Sequence, residues 1–344
     1  MYNIFRSRLK KLILSKFYNA LQTPAARETL STISRSANYK ENISYINTPY
    51  NQDSHQSLKR SEAPPSIIIT GRFRSGSTML WNIFRHLEGF TSYYEPFNER
   101  QWFNSDTRGD KVDNTHQGTT NYWDEYLNHK ELINLYDENW IRYGLYMKAH
   151  DSNYAMKMFI NHLIDKTEDT AAMQFNRIDF RLPWIRQNFP DAKIIHIYRN
   201  PRDQWCSFVG KTSNFPMHND SEFKDRFYLN IWIDDLTQTF PFLHKNIAKH
   251  PYQQFYLLWR LSYIFGQNFS DFSISLEELS QNPSNSLDKL FSTIKMNYKP
   301  NEHVFRLVKP QISGKWKLYA PSTWFDKHEE YCECILRDFF KNST

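Results

Sequence analysis

The stretch that most constrains the fold is residues 66–87, in which three elements follow one another. A short run, Ile67-Ile68-Ile69, is typical of a strand buried in a parallel sheet. A loop bounded by Gly71 and Gly76 comes next, and apolar side chains from Met79 onwards then fall on one face of a helix. The order strand, loop, helix predicts a parallel α/β unit.

The same alternation continues along the chain. We predict further strands at 154–158, 193–198 and 272–276, separated by helices at 161–168, 180–188, 222–240 and 250–266. Alternating strands and helices predict an α/β fold with a parallel β-sheet flanked by helices.

The chain divides into three predicted regions. Residues 1–30 form a basic amphipathic helix, which either packs on the domain, contacts a membrane surface or a partner, or is an organellar transit peptide. Residues 31–65 are polar, end in Ala-Pro-Pro and are predicted to be a linker. The domain proper is 66–344, and its Trp- and Tyr-rich segments 100–150 and 214–260 are predicted to cover the bound acceptor, the first of them as an insertion over the edge of the sheet.

Composition excludes several classes of protein. None of the apolar runs approaches the ~18 residues of a membrane span. Three cysteines among 344 residues build no disulfide framework, which favours a reducing, cytoplasmic location. A net charge of +6 suits an anionic ligand but is too small to indicate nucleic acid. We find no metal motif, and Cys332 and Cys334 are predicted to be ordinary helix residues.

The loop from Gly71 to Thr78 has the spacing of a phosphate-binding P-loop, G-x4-G-x-[ST]. Backbone N–H groups at the start of a helix can surround an anionic oxygen. Ser77 stands where nucleotide hydrolases have lysine, and Arg72 and Arg74 supply the positive charge instead. Such a loop is poorly suited to ATP or GTP hydrolysis. A purely structural turn is the alternative.

A second cationic motif follows the predicted strand 193–198. It reads Arg199-Asn200-Pro201-Arg202-Asp203, with Ser207 eight residues after Arg199. Ligands of open α/β sheets bind beyond the carboxyl ends of the strands, so Arg199 is expected in the same crevice as the loop. An arginine and a serine hydroxyl suit a terminal phosphate. The alternative is a buried arginine paired with Asp203.

Together these motifs resemble the sulfotransferases that use 3′-phosphoadenosine 5′-phosphosulfate (PAPS). Residues 74–78 are similar to their 5′-phosphosulfate loop, and Arg199 with Ser207 to their 3′-phosphate motif. Residues 94–97, Tyr-Glu-Pro-Phe, resemble a motif of carbohydrate and bacterial members, and 155–158 resemble a strand of some bacterial members. The likeness spans about residues 66–320, including a late 276–283 segment and a closing Gly-x-Trp-Lys loop at 314–317.

The resemblance implies a P-loop NTPase-like sulfotransferase fold and transfer of a sulfuryl group from PAPS to an acceptor hydroxyl, of a carbohydrate or another small polar molecule. It implies no metal. The implied donor-binding residues are Arg72, Arg74, Ser75, Gly76, Ser77, Thr78, Met79, Arg199, Ser207 and Lys315. Two departures concern the adenosine side: Leu276 replaces a family tyrosine, and residues 309–311 read Lys-Pro-Gln, so that Lys309 or Lys315 must supply a cation.

Two residues are predicted to be catalytic. Arg74 would stabilise the charge that develops in the transition state, and Glu95 would be the general base. Glu95 has alternatives: it could instead pair with an interior arginine, and His150 and His196 are competing bases.

Two other functions remain open at this stage. One is a P-loop kinase or nucleotide phosphotransferase, and the other a non-enzymatic protein that binds a membrane surface or a polyanion through residues 1–30.

Overall fold

A five-stranded parallel sheet forms the centre of the molecule, seen in a computed structural model that describes residues 16, 20, 23–24, 26, 41–50, 66–112, 119–210, 222–296, 302–310 and 313–341. Its strands are β1 Ser66–Thr70, β2 Phe90–Tyr94, β3 Thr170–Phe175, β4 Lys193–Tyr198 and β5 Phe272–Ser275. They lie in the order β2-β3-β1-β4-β5, so the strand before the phosphate loop is central. The predicted α/β fold is confirmed.

Ten helices of the described chain cover the sheet. They are α1 Ser77–Arg85, α2 Tyr154–Asp165, α3 Leu182–Asn188, α4 Pro201–Val209, α5 Leu229–Leu236, α6 Pro251–Phe269, α7 Leu276–Gln281, α8 Pro283–Thr293, α9 Glu302–Leu307 and α10 Ser322–Lys341. The two faces of the sheet carry separate apolar clusters. Ile67 and Ile69 pack on the face with α1, α8 and α9, and Ile68 packs on the opposite face, which follows from the two-residue period of a strand.

One predicted strand is wrong. Residues 154–158, including the segment that resembled a family strand, are the first turns of α2. The side chain of Asn153 accepts a hydrogen bond from the backbone N–H of Met156 at 3.0 Å and so caps the helix. Met156, Phe159, Ile160 and Leu163 are buried at helical spacing. Short apolar runs do not separate a strand from a buried helix, and here the run of buried positions continues too far for a strand.

The helix predicted at 161–168 is the later part of α2, which ends at Asp165. The remaining predicted elements are confirmed, with β4 at the predicted bounds and β5 one residue shorter than predicted. The helix expected at 222–240 is confined to α5. The sequence analysis missed β3, whose Thr-Ala-Ala-Met-Gln-Phe has a single β-branched residue. It nevertheless pairs with β1 and β2 along its whole length.

Residues 119–150 pack beside the edge strand β2 in three 3-10 turns. The Tyr126 hydroxyl donates to the carbonyl of Tyr94 at 3.1 Å, and the rings of Tyr94 and Tyr122 stack with centroids 4.3 Å apart. This part of the predicted insertion therefore covers the edge of the sheet.

Residues 41–50, here called the N-terminal strap, contact the domain without forming a helix or strand. The Tyr45 hydroxyl donates to Glu333 in α10 at 2.7 Å, and buried Arg260 in α6 donates to the carbonyl of Ile46 at 2.8 Å. The Tyr50 hydroxyl donates to Glu277 in α7 at 3.1 Å. The helix predicted at 1–30 and the rest of the linker predicted at 31–65 lie outside the residues that can be described, apart from a few isolated positions.

No described helix combines the length and the apolar character needed to span a membrane.

Candidate active site

A cavity of about 610 Å³ opens at the carboxyl ends of the strands, and residues that follow all five strands line it. Arg74 follows β1, Glu95 follows β2, Arg177 follows β3, Arg199 follows β4 and Leu276 follows β5. This is the position at which open α/β sheets bind ligands.

The phosphate loop forms the floor of this cavity, because Arg74, Gly76, Ser77, Thr78 and Met79 all line it. Gly76 adopts a φ of 96° at the start of α1, a conformation that glycine reaches without strain. The N-terminal turn of α1, whose first N–H groups have no partner within the helix, therefore borders the cavity.

The two predicted phosphate motifs meet at Arg74. Its Nε donates to the hydroxyl of Ser207 at 2.9 Å, and a guanidinium nitrogen of Arg199 lies 3.3 Å from the backbone carbonyl of Arg74. Ser207 lies in α4, so this contact joins the helix after β4 to the loop after β1. In the sequence, Arg199 and Ser207 lie 125 and 133 positions after Arg74.

Arg199 lines the cavity, and contacts with neighbouring residues fix its backbone. The indole of Trp259 donates to its backbone carbonyl at 3.1 Å. Asp203, the alternative ion-pair partner, accepts backbone N–H bonds from Gly314 at 2.8 Å and Trp316 at 3.3 Å instead, which attaches the closing loop to α4. Burial lowers the pKa of Arg199, and the nearby carboxylates Asp203 and Glu277 offset part of this effect.

Four predicted donor-binding residues, Arg72, Ser75, Ser207 and Lys315, do not line the cavity, although Ser207 is bonded to Arg74, which does. The guanidinium of Arg72 lies 4.6 Å from the Trp232 ring and 3.9 Å from Asp179, below the loop, where burial lowers its pKa to about 10. The Ser75 hydroxyl is also buried and has no hydrogen-bond partner among the described atoms. Lys315 is exposed on a 3-10 turn, whereas Lys309 lines the cavity.

Glu95 lies in the cavity wall at the centre of a polar network. Its carboxylate accepts hydrogen bonds from Asn98 at 2.6 Å, from Arg177 at 2.8 Å and from the side chain of Asn176. Arg177 also donates to Glu99 at 2.6 Å. Burial lowers the pKa of Arg177, but its ion pairs with Glu95 and Glu99 outweigh burial and leave it raised. Glu95 is thus the partner of an interior arginine and a cavity residue at once.

Asn176 connects Glu95 with the phosphate loop. Its side-chain oxygen accepts a hydrogen bond from the hydroxyl of Ser77 at 2.9 Å, while its amide group binds Glu95. Gln174 in β3 donates to both Ser77 and Asn176, at 3.1 and 3.0 Å. A hydrogen-bonded path of two side chains therefore links the start of α1 to the predicted base.

Sequence reasoning missed Asn176, Arg177 and Glu99. The first two follow β3 directly, and placing that strand would have put them at the carboxyl edge of the sheet. Glu99 lies four residues after Glu95, and both accept from one guanidinium.

The two competing bases are not in the cavity. His196 is buried in β4, where its Nδ1 lies 2.8 Å from the hydroxyl of Ser273 and burial lowers its pKa to about 3. His150 precedes α2 rather than a strand and, like Lys157 within α2, does not line the cavity. Among the described residues, no group of three or more His, Cys, Asp or Glu side chains is placed to hold a metal ion.

The molecule is thus an α/β protein with a P-loop after its central strand and a second cationic motif after the neighbouring strand β4. Residues 65–258 match the model of the Sulfotransferase family, which is more than half of the 344 residues. The chain belongs to the sulfotransferase family. This assignment favours transfer of a sulfuryl group over the kinase and the non-enzymatic alternatives.

Solved structures similar to this chain are sulfotransferases as well. A mouse sulfotransferase complexed with PAP shares 13% identity with this chain. The match covers 83% of this chain and 91% of the mouse chain, with a TM-score of 0.38. A sulfotransferase from Alicyclobacillus acidocaldarius shares 14%, with coverages of 80% and 97% and a TM-score of 0.36. One from Mycobacterium avium shares 10%, with coverages of 82% and 77% and a TM-score of 0.41. No curated protein matches the sequence.

Proposed function

We propose that this protein transfers the sulfuryl group of PAPS to a hydroxyl of a carbohydrate or another small polar acceptor. The observation that carries the proposal is the contact of the two phosphate motifs, with Arg74 Nε 2.9 Å from Ser207 and Arg199 beside the Arg74 carbonyl. Two arginines and a hydroxyl next to a helix N-terminus suit a ligand with two separate anionic groups.

The cavity fits such a ligand by charge. Seven cationic side chains line it against two carboxylates: Arg74, Arg100, Lys111, Arg177, Arg199, Arg226 and Lys309 against Glu95 and Glu99. We assign Arg74, Ser77, Thr78 and the N–H groups of residues 76–78 to the phosphosulfate, because the N–H groups of Ser75 and Met79 donate to the carbonyls of Arg72 and Gly76 at 3.1 and 3.0 Å. We assign Arg199, with Ser207 and Lys309, to the 3′-phosphate.

When bound, PAPS would supply the sulfuryl group, and its departing phosphate would gain negative charge during transfer. The guanidinium of Arg74 and the N-terminus of α1 would stabilise that charge, because both are fixed before the reaction and need no reorientation. Its bond to Ser207 holds the Arg74 side chain over the loop.

Glu95 is our candidate for the base that accepts the proton of the acceptor hydroxyl. It is the more buried of the two cavity carboxylates, with 5% of its surface exposed. Three donors, Asn98, Asn176 and Arg177, fix its orientation. The acceptor would approach over Tyr94 and Tyr122, whose rings line the same wall.

A cytoplasmic location and contact with a membrane surface through residues 1–30 are also part of the proposal. The low cysteine content and the basic amphipathic pattern of that segment support them.

The experiment that tests this function combines binding and transfer. Calorimetry should show that adenosine 3′,5′-bisphosphate binds more tightly than AMP, and Arg199→Ala should remove most of the difference, since a charged hydrogen bond contributes about 1.5–3 kcal/mol. Arg337→Ala, which removes an exposed arginine of α10, is the control. Sulfur-labelled PAPS with a panel of glycans, lipids and phenols tests transfer. Equal affinity for the bisphosphate and AMP, or no labelled product, would contradict the proposal.

A further inference from the structure

The strand order divides the cavity into two halves. Arg74 follows the central strand β1, while Arg199 and Leu276 follow β4 and β5 on one side of it. We call this side the donor half, because it holds the residues assigned to PAPS; this step rests on the proposed function. Glu95 and Arg177 follow β2 and β3 on the opposite side, which we call the acceptor half.

On the inner wall of the acceptor half, one cation, Arg177, is paired with two carboxylates, Glu95 and Glu99. Arg177 is 4% exposed and donates to Glu95 at 2.8 Å and to Glu99 at 2.6 Å. Its guanidinium also lies 5.2 Å from the Phe73 ring and 5.8 Å from the Tyr228 ring. A guanidinium enclosed in this way has little capacity left for a ligand anion.

The mouth of the cavity carries three further cations. Arg100, Lys111 and Arg226 all line the cavity and are exposed. None of the three forms an ion pair with any residue in the described part of the chain. A guanidinium nitrogen of Arg100 donates to the carbonyl of Lys111 at 2.8 Å, which holds these two cations side by side.

Asp225, the acidic residue nearest to Arg226 in sequence, binds backbone N–H groups rather than Arg226. Asp225 accepts the backbone N–H of Leu229 at 3.0 Å and of Asn230 at 2.8 Å, at the start of α5, and it does not line the cavity. The aromatic rings of Trp102, Tyr122 and Phe227 line the same cavity. Flat aromatic faces beside exposed cations suit a saccharide that carries negative charge.

We infer that the acceptor is an acidic saccharide, with a carboxylate or sulfate group on or next to the sugar that receives the sulfuryl group. The cations at the mouth bind the anionic group, and the hydroxyl reaches Glu95 deeper in the cavity. Glu95 and Glu99 repel an anion from the inner wall, so the charges of the acceptor half also set its orientation.

The test uses three tetrasaccharides of equal length: one with glucuronate, its carboxyl-reduced counterpart, and the reduced form carrying one sulfate. Their affinities are measured by calorimetry with adenosine 3′,5′-bisphosphate present, at low and at high salt. We expect the charged forms to bind more tightly, with the preference declining as salt screens the exposed cations. The two charged arms show whether a carboxylate or a sulfate is favoured.

The variant Lys111→Gln/Arg226→Gln should lose about five- to tenfold in affinity for the charged forms and little for the reduced form, since one exposed ion pair is worth up to about fivefold. Lys249→Gln removes an exposed lysine outside the cavity and is the matched control. Equal binding of charged and reduced forms, or binding of neither, overturns this inference. The proposed function fails separately, if the bisphosphate binds no better than AMP or no acceptor is labelled.

Discussion

Three of the five described non-glycine residues with positive φ line the active-site cavity. They are Arg74 at 70°, Glu95 at 38° and Tyr228 at 63°. This conformation costs an L-residue about 1–2 kcal/mol, and it persists where the surroundings fix the backbone. Two of the three are the residues assigned to transition-state stabilisation and proton transfer, which is the expected relation between strain and function.

The role of Glu95 can be separated from its ion pair by comparing two variants. Glu95→Gln should lower kcat by about 10²–10⁴-fold, the usual contribution of a general base, while donor binding is retained. Glu99→Gln is the matched control, because Glu99 accepts from the same Arg177 but has a more exposed side chain. Steady-state kinetics with labelled PAPS measure both. Similar losses in both variants would show that Glu95 is only a partner of Arg177.

At the residue scale, the sequence predicted the cations of the phosphate motifs better than the network around Glu95. Arg74 and Arg199 belong to short contiguous motifs whose spacing encodes their place beside a strand end. Asn176, Arg177 and Glu99 depend on the pairing of β3 with β2, a contact that no local pattern specifies. The direction of the Arg72 side chain was likewise set by Trp232, distant in sequence.

At the scale of elements, the phosphate loop depends on the close approach of α1 and α7. A Cβ added to Gly76 would lie 2.5 Å from Leu276 Cδ1, and the φ of 96° disfavours any side chain. Leu276 is itself buried at the start of α7.

Gly76→Ala should therefore lower the free energy of unfolding by about 2–4 kcal/mol, from backbone strain and overpacking together. Gly89→Ala is the control, since Gly89 has a φ of 79° but no atom within 4 Å of the added Cβ, and should lose only about 1–2 kcal/mol. Denaturant unfolding at equilibrium measures both values. Equal losses of unfolding free energy in the two variants would show that the contact with Leu276 does not contribute to the effect.

Strand β4 carries a buried histidine that makes stability depend on pH. Burial lowers the pKa of His196 from its ordinary 6.5 to about 3, so between these values the unfolded chain binds more protons than the folded one. Its stabilising contribution is complete above pH 6.5 and is lost as the pH falls. We expect about 2 kcal/mol to be lost from this residue between pH 7 and 5.

Equilibrium unfolding at several pH values checks this expectation. His196→Gln should flatten the dependence, whereas His244→Gln, at an exposed position, should leave it unchanged. The other histidines with lowered pKa values, His129, His162 and His328, are present in both variants and cancel in the comparison. An unaltered slope in His196→Gln would contradict the assignment.

The elements themselves were predictable where hydrophobic pattern and turn chemistry agreed. β1 and β4 are rich in isoleucine, and β5 alternates apolar and serine residues, Phe-Ser-Ile-Ser, with a period of two. β3 was not predicted because its position between two strands, rather than its own composition, makes it a strand. The error at 154–158 has the opposite cause, an apolar run that a capping asparagine turns into a helix.

For the whole molecule, alternation of strands and helices was enough to predict the α/β class but not the strand order. That order separates β1 and β2, which are consecutive in sequence, by inserting β3 between them. It is set by long-range packing, and it is what distinguishes the donor half of the cavity from the acceptor half.

Because the N-terminal strap bonds to residues of the domain, the folded unit extends upstream of strand β1. Chains that begin at residue 41 should keep the unfolding midpoint and bisphosphate affinity of the full chain. Chains that begin at residue 61 lose the Ile46 carbonyl that binds buried Arg260, at about 1–3 kcal/mol for a buried group left unsatisfied. They also lose the Tyr50 hydroxyl that binds the partly exposed Glu277. Glu277 also accepts the backbone N–H of Asn200 at 3.0 Å, so the shorter chain should bind the bisphosphate more weakly. Thermal unfolding and calorimetry on the two truncations decide this, and identical behaviour would make the strap dispensable.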